Sequence, residues 1–164
     1  MKKLLLIGLL LLSLILALSC VNQKEIASAN LDSVLETQVF NLVNQARAEN
    51  GFCELTHDPA LYVIALDYCK EMYQDGDFTH DGFESRAALI RENGYTLIGE
   101  NLARGWDSSE KLVGAWLASP THQENIMNPL FLYTGLACYN GYVCQIFVGY
   151  DLSPFINPFG LLSP

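Results

Sequence analysis

Three titratable residues in this chain sit where composition alone does not account for them. His80 lies in "FTHDGFESR", Glu100 in "IGENLARG" and His122 in "SPTHQENIMNP", directly after the apolar run "LVGAWLA". A carboxylate amid an apolar extended segment is rarely buried without a partner. Glu100 therefore calls for a cationic, protonated or metal neighbour. Two imidazoles from separate loops could supply it. The plainer alternatives are a pair with Arg104 and ordinary solvated loop histidines. If the groups meet, Glu100 and His122 are the candidates for acid–base chemistry. Ser119, three residues before His122, would make a nucleophile–base pair. Without a G-x-S-x-G elbow, however, Ser119 beside Pro120 reads as a helix-end cap.

The elements that must position these groups are written in local signals. Ser33-Val34-Leu35-Glu36 has the form of a capping box. It is followed by Leu35, Val39, Leu42, Val43 and Ala46 at helical spacing, with Gly51 as the stop. "HDPAL" opens a second helix with Asp58 as N-cap and Pro59 in the first turn. Its apolar stripe Leu61, Ile64, Ala65, Tyr68, Cys69 and Met72 runs to "DGD" at 75–77. "ESRAALIREN" predicts a shorter helix closed by Gly94, and "YTLIGENLARG" an extended segment. A further helix starts at Asp107-Ser108-Ser109-Glu110, carries Leu112, Val113, Trp116 and Leu117, and breaks at Pro120. "FLYTGLACY" and "YVCQIFVGYD" predict two strands about an Asn140-Gly141 turn. Both strands are apolar on both faces, so the sheet is covered on both sides. Helices around a small antiparallel sheet make a three-layer α/β/α sandwich the economical arrangement.

The chain's ends and charge bound its surroundings. "MKK" followed by "LLLIGLLLLSLILAL" and Ser19-Cys20 predicts an export signal over residues 1–19. A single spanning helix is the competing reading. The ending "LALSC" favours a bacterial lipobox, with Cys20 acylated by palmitate-type chains as the new N-terminus, which would hold the protein stably on a membrane. Residues 20–31 then form a polar tether, 32–151 one domain and 152–164 an apolar, proline-rich tail. Without Lys2 and Lys3, nine bases become seven against eighteen acids, a net −11. Nucleic acid, which needs a basic face, is excluded as a partner. Four cysteines remain beside Cys20. In an exported chain they suggest two disulfides. The hairpin brings Cys138 and Cys144 together, leaving Cys53 with Cys69; four reduced, buried thiols are the alternative.

"FTHDGFESR", "GENLARG", "GAWLASPTHQENI" and "YTGLACYNGYVCQIFVGY", in that order, resemble the bacterial branch of the CAP superfamily (SCP-like, cysteine-rich secretory, antigen 5 and pathogenesis-related 1 proteins). "LVNQARAENGFCELTHDPAL" looks like that branch's first helix and the approach to its second. The resemblance covers about residues 35–150 and implies the sandwich already inferred. It also implies a cleft in which His80, Glu100 and His122 take the places of family cavity residues. The family's second glutamate, three positions after the helix tryptophan, is here Ser119, as is common in bacterial members. Arg86 matches an arginine of the bacterial motif and is expected as an ion-pair partner near the cleft. Asn101 and Asn125 are expected to hold loop backbone around it, and His57 to lie on the surface at a helix start. Two imidazoles and one carboxylate leave a position open, which suits Zn²⁺ or another divalent metal. The function implied is an exported, surface-anchored binding module for a metal, a lipid or sterol, or a host or envelope protein. The rival is a metal-dependent, peptidase-like hydrolase of peptides or envelope components. No HExxH helix supports that rival.

Overall fold

The structure, a computed structural model, describes the backbone of residues 2–151 and the side chains of residues 23–151. The side chains of the predicted export signal and of Cys20, and the tail at 152–164, lie outside the described residues. Among the described residues, five helices and four strands follow in the order α1 (Lys2–Glu49), β1 (Thr56–His57), α2 (Pro59–Asp75), α3 (Phe83–Arg91), β2 (Leu97–Arg104), α4 (Ser109–Ala118), α5 (Pro120–Met127), β3 (Phe131–Tyr139) and β4 (Tyr142–Gly149). One sheet runs β1-β3-β4-β2. β4 is central and antiparallel to both neighbours, while the two-residue β1 pairs parallel to β3.

Side-chain alternation sorts the core into two layers. Val143 and Phe147 of β4, with Leu136 and Cys138 of β3, face α1, α4 and α5 through Val39, Val43, Leu112, Trp116 and Ile126. Cys144, Ile146 and Val148 face α2 and α3 through Leu61, Ala65, Tyr68, Cys69, Met72 and Ile90. All eight residues of β4 are buried, as expected for a strand covered on both sides. Helix and sheet approach closely where α2 crosses β3. A Cβ on Gly135 would fall 2.2 Å from the Leu61 carbonyl carbon. The hairpin turn has positive φ at Asn140 (48°) and Gly141 (81°), the backbone a two-residue primed turn demands. Asp58 caps α2 through its Oδ1, which accepts from the amides of Ala60 and Leu61.

Three expectations are corrected. First, α1 does not begin at Ser33. Residues 20–31, read as an aperiodic tether, are helical and continuous with it. The capping box does not close, because the Glu36 carboxylate accepts instead from the Cys138 amide at 2.8 Å. Second, α4 breaks before Pro120, as expected, but Pro120 does not end helical structure there. It forces Ser119 into extended backbone (φ −97°, ψ 119°) and then opens α5 from the first turn, where its missing N–H costs nothing. Third, the four cysteines of the domain are free. Cys138 sits opposite Val143 and Cys144 opposite Ala137, so the two thiols emerge on opposite faces of the sheet. Cys53 is exposed while Cys69 is buried on the sheet-facing side of α2, its Sγ 3.4 Å from the Ala137 carbonyl. Burial pushes the Cys69 thiol up to about 12, so it is not a thiolate at neutral pH.

Arg47, whose charge reads as a surface residue in the sequence, continues the buried stripe Val39–Val43 one turn on. Fully buried, it donates to the carbonyls of Cys53 (2.8 Å), Ile126 (2.6 Å), Asn128 (2.9 Å) and Phe131 (3.0 Å). It thus ties α1 to the end of α5 and the start of β3.

Two measurements check this description. Arg47→Met should lower stability by about 3 kcal/mol or more in urea unfolding, since it orphans several buried carbonyls. An unchanged midpoint would contradict that role. Alkylation under denaturing, non-reducing conditions should label Cys53, Cys69, Cys138 and Cys144 alike, whereas protection of any pair would restore a disulfide.

Candidate functional site

β2 carries the site because it is an edge strand whose adjacent residues point to opposite faces. Ile98, Glu100 and Leu102 turn toward α2 and α3, and Asn101 and Ala103 toward α1, α4 and α5. The candidate site is therefore built in two halves around one strand.

On the α2–α3 side, the Glu100 side chain is only 2% exposed. Arg86 of α3 meets it two-pronged: Nε lies 2.9 Å from Oε2 and one terminal nitrogen 2.9 Å from Oε1. His80, in the α2–α3 loop, places Nδ1 2.9 Å from Oε1. The other terminal nitrogen of Arg86 donates to the Asp81 carbonyl at 2.8 Å, tying the same loop down. Below the guanidinium lies the Tyr68 ring, its centroid 3.3 Å from Cζ. Bidentate charge-assisted bonds of this kind are the strong class, and they orient both partners. The expected alternative partner, Arg104, is instead placed near the rings of Phe78 and Tyr142.

On the other side, α5 lies along β2. Asn125 donates through Nδ2 to the Glu100 carbonyl (3.2 Å) and to Asn101 Oδ1 (2.9 Å). Asn101 in turn donates to the His122 carbonyl at 3.1 Å. These bonds satisfy backbone that an edge strand would otherwise leave open. Gly99 allows the approach, because a Cβ there would fall 2.7 Å from Asn125 Oδ1. The His122 ring lies 6.3 Å from that of Trp116, whose Nε1 donates to the Leu102 carbonyl at 3.0 Å. Nδ1 of His122 is 2.9 Å from Ser119 Oγ. Burial first, and then the His80 imidazole across the strand edge, hold the pKa of His122 below its ordinary value.

The expected site residues therefore assemble as two hydrogen-bonded groups, His80–Glu100–Arg86 and Ser119–His122 with Asn101 and Asn125. They do not assemble as a metal centre. Among the described residues no set of three or more His, Cys, Asp and Glu is arranged to hold a metal ion. The reason is on the Glu100 carboxylate, where Arg86 already supplies the positive charge that a cation would bring. The trio His80, Glu100 and His122 does not fit Zn²⁺ as it stands. His57 is exposed on β1, as expected for a surface residue, with its ring near Phe40 and Tyr62. Tyr68 belongs to the site but went unrecognised, since its position on the α2 stripe reads only as core. An open groove of about 820 Å³ lies elsewhere, between α1, α2 and the β3–β4 hairpin, and is lined in part by Glu36, Tyr62, Tyr73 and Tyr139.

A small four-stranded sheet between two helical layers, with a histidine–glutamate group at its edge, defines the class of α/β/α sandwich that the sequence motifs resemble. The family model for the cysteine-rich secretory protein family, CAP, matches residues 40–150, and the chain belongs to that family. It is 32% identical over 115 residues to the uncharacterized protein YkwD of Bacillus subtilis, covering 68% of this chain and 43% of that protein. Among solved structures it is similar to an extracellular protein containing an SCP domain from Bacillus anthracis (TM-score 0.69, 26% identity, 74% of this chain and 42% of that one). An outer surface protein of Borrelia burgdorferi shares the fold (TM-score 0.61, 21% identity, 68% of this chain and 90% of that one). The chain thus spans less than half the length of the two Bacillus proteins.

The lowered His122 pKa has a sign that can be checked. Unfolded imidazole takes its proton near pH 6.5, before the folded one does. Stability is therefore fully present above that pH and declines as pH falls through the folded value. In an NMR titration the His122 ring should show a midpoint below that of a model histidine. A midpoint at or above it would contradict the environment described.

Proposed function

We propose that this chain is an exported, lipid-anchored CAP-domain protein of the cell envelope that works as a binding or interaction module rather than as a metal-dependent hydrolase. The observation that carries this reading is the engagement of the Glu100 carboxylate by Arg86 and His80. A hydrolytic metal centre needs free ligands and an open coordination position. This carboxylate has both oxygens in hydrogen bonds, one of them shared by cation and imidazole. Such a group is a fixed polar surface, with the half-exposed His80 ring at its mouth. It suits recognition of a small ligand or of a host or envelope component.

Export and anchoring are supported by the signal-like residues 1–19 and Cys20, and by the extracellular and outer surface character of the named structural relatives. Among residues 23–151, whose side chains are described, no helix is long and apolar enough to cross a membrane.

Calorimetric titration of Zn²⁺ into the full chain should give no saturable micromolar binding, and a peptide library should show no cleavage that stops on chelation. Zn²⁺ binding lost in the His80→Ala/His122→Ala double mutant, or chelator-sensitive cleavage, would overturn the reading in favour of the hydrolase. For the anchor, intact mass should show a chain beginning at Cys20 and carrying acyl groups. Cleavage there with no added mass would exclude it.

A further inference from the structure

We infer that Ser119 and His122 form a nucleophile–base pair able to accept and release an acyl group from a carboxylic ester. The inference goes beyond the binding reading and does not depend on it.

Its starting point is a hydroxyl that is not where a helix start would use it. Ser119 is the residue preceding the first turn of α5, the position at which a serine side chain ordinarily accepts from an amide two or three residues on. Here it makes no such bond. Its Oγ instead lies 2.9 Å from His122 Nδ1, with Thr121 Oγ1 at 3.5 Å. The geometry is built into the chain. Pro120 holds Ser119 extended, and the helical turn it opens returns His122 over the hydroxyl. The ring is held by more than this bond, since the His122 carbonyl is anchored to Asn101 and its ring lies beside Trp116. Both residues are only partly buried, so a ligand can reach them. A hydroxyl within hydrogen-bond reach of an oriented imidazole is the minimum for an activated serine. No side chain caps the first turn of α5, so the amides of Thr121 and His122 there are the backbone donors nearest in sequence to the Ser119 hydroxyl.

The step balances within the pair and one water. With the imidazole proton on Nε2, Nδ1 takes the Ser119 proton as Oγ bonds to the ester carbonyl carbon. The carbon–oxygen bond to the alcohol then breaks, and His122 returns the proton to the departing alkoxide. Water, deprotonated by His122, attacks the acyl-serine; the carboxylic acid leaves and Ser119 is restored. The sum is ester plus water giving acid plus alcohol, with no metal involved.

The test uses the full chain with a fluorophosphonate probe and with p-nitrophenyl butyrate, both in the presence of chelator. The expected result is one phosphonyl adduct, mapped to Ser119, and ester turnover that Ser119→Ala abolishes. His122→Gln should slow labelling by about a hundredfold or more, the scale of a lost general base. A purely structural role for the pair would shift the thermal midpoint of these variants without any adduct. Labelling and mapping are read on the unmutated chain, so a variant that fails to fold does not blunt the test. Absence of the adduct at Ser119, turnover unchanged in Ser119→Ala, or turnover lost to chelator overturns the assignment.

Discussion

The arrangement depends on one buried carboxylate. Glu100 stands on the covered face of β2, where an unpaired charge would cost several kcal/mol. Its compensation comes from three directions: Arg86 from α3, His80 from the α2–α3 loop, and the Tyr68 ring of α2 beneath the guanidinium. A loop that carries little apolar side-chain area is thereby fastened to the sheet, and His80 is held at the edge of the domain. Removing Glu100 would release Arg86 and His80 at once. The same interaction decides the chemistry, because a carboxylate engaged by an arginine is not offered to a metal.

The other half of the site depends on a different cation. Arg47 binds the last carbonyls of α5 and the first of β3, setting where α5 ends. Ser119, extended because proline follows it, sets where α5 begins. Between those two points α5 can only run along β2, presenting Asn125 to the strand backbone and His122 to the edge. The two halves meet because Glu100 and Asn101 are neighbours in an edge strand and point to opposite faces.

Much of the fold was legible because its signals are local. Asp58-Pro59 starts α2, Asn140-Gly141 turns the hairpin, and two-sided apolar strands require two covering layers. The misreadings arose where a local sign has two meanings or where the deciding partner is distant. Pro120 can end one helix or open the next, and here it does both. Ser33 and Glu36 have the spacing of a cap, yet Glu36 is claimed by the Cys138 amide, 102 residues away. The hairpin brings Cys138 and Cys144 near in sequence register, but their offset by one position puts the thiols on opposite faces. For the site, the His80–Glu100 contact followed from the need of a buried acid for a partner. That Arg86 is the principal partner, in place of a metal or Arg104, depends on how α3 lies over the sheet, which spacing does not encode. Strand parity did hold a clue, since Glu100 and Arg104 share a face but stand four residues apart along one strand.

The most direct test is a double-mutant cycle on Arg86→Gln and Glu100→Gln, read by urea unfolding. If the pair is the keystone of the site, the single variants should each be strongly destabilised and the double variant much less than their sum, with a coupling of about 1.5 kcal/mol or more. Additivity within about 0.5 kcal/mol would mean that Arg86 and Glu100 act independently. The carboxylate would then be open to a metal after all, and the account of the site would be wrong.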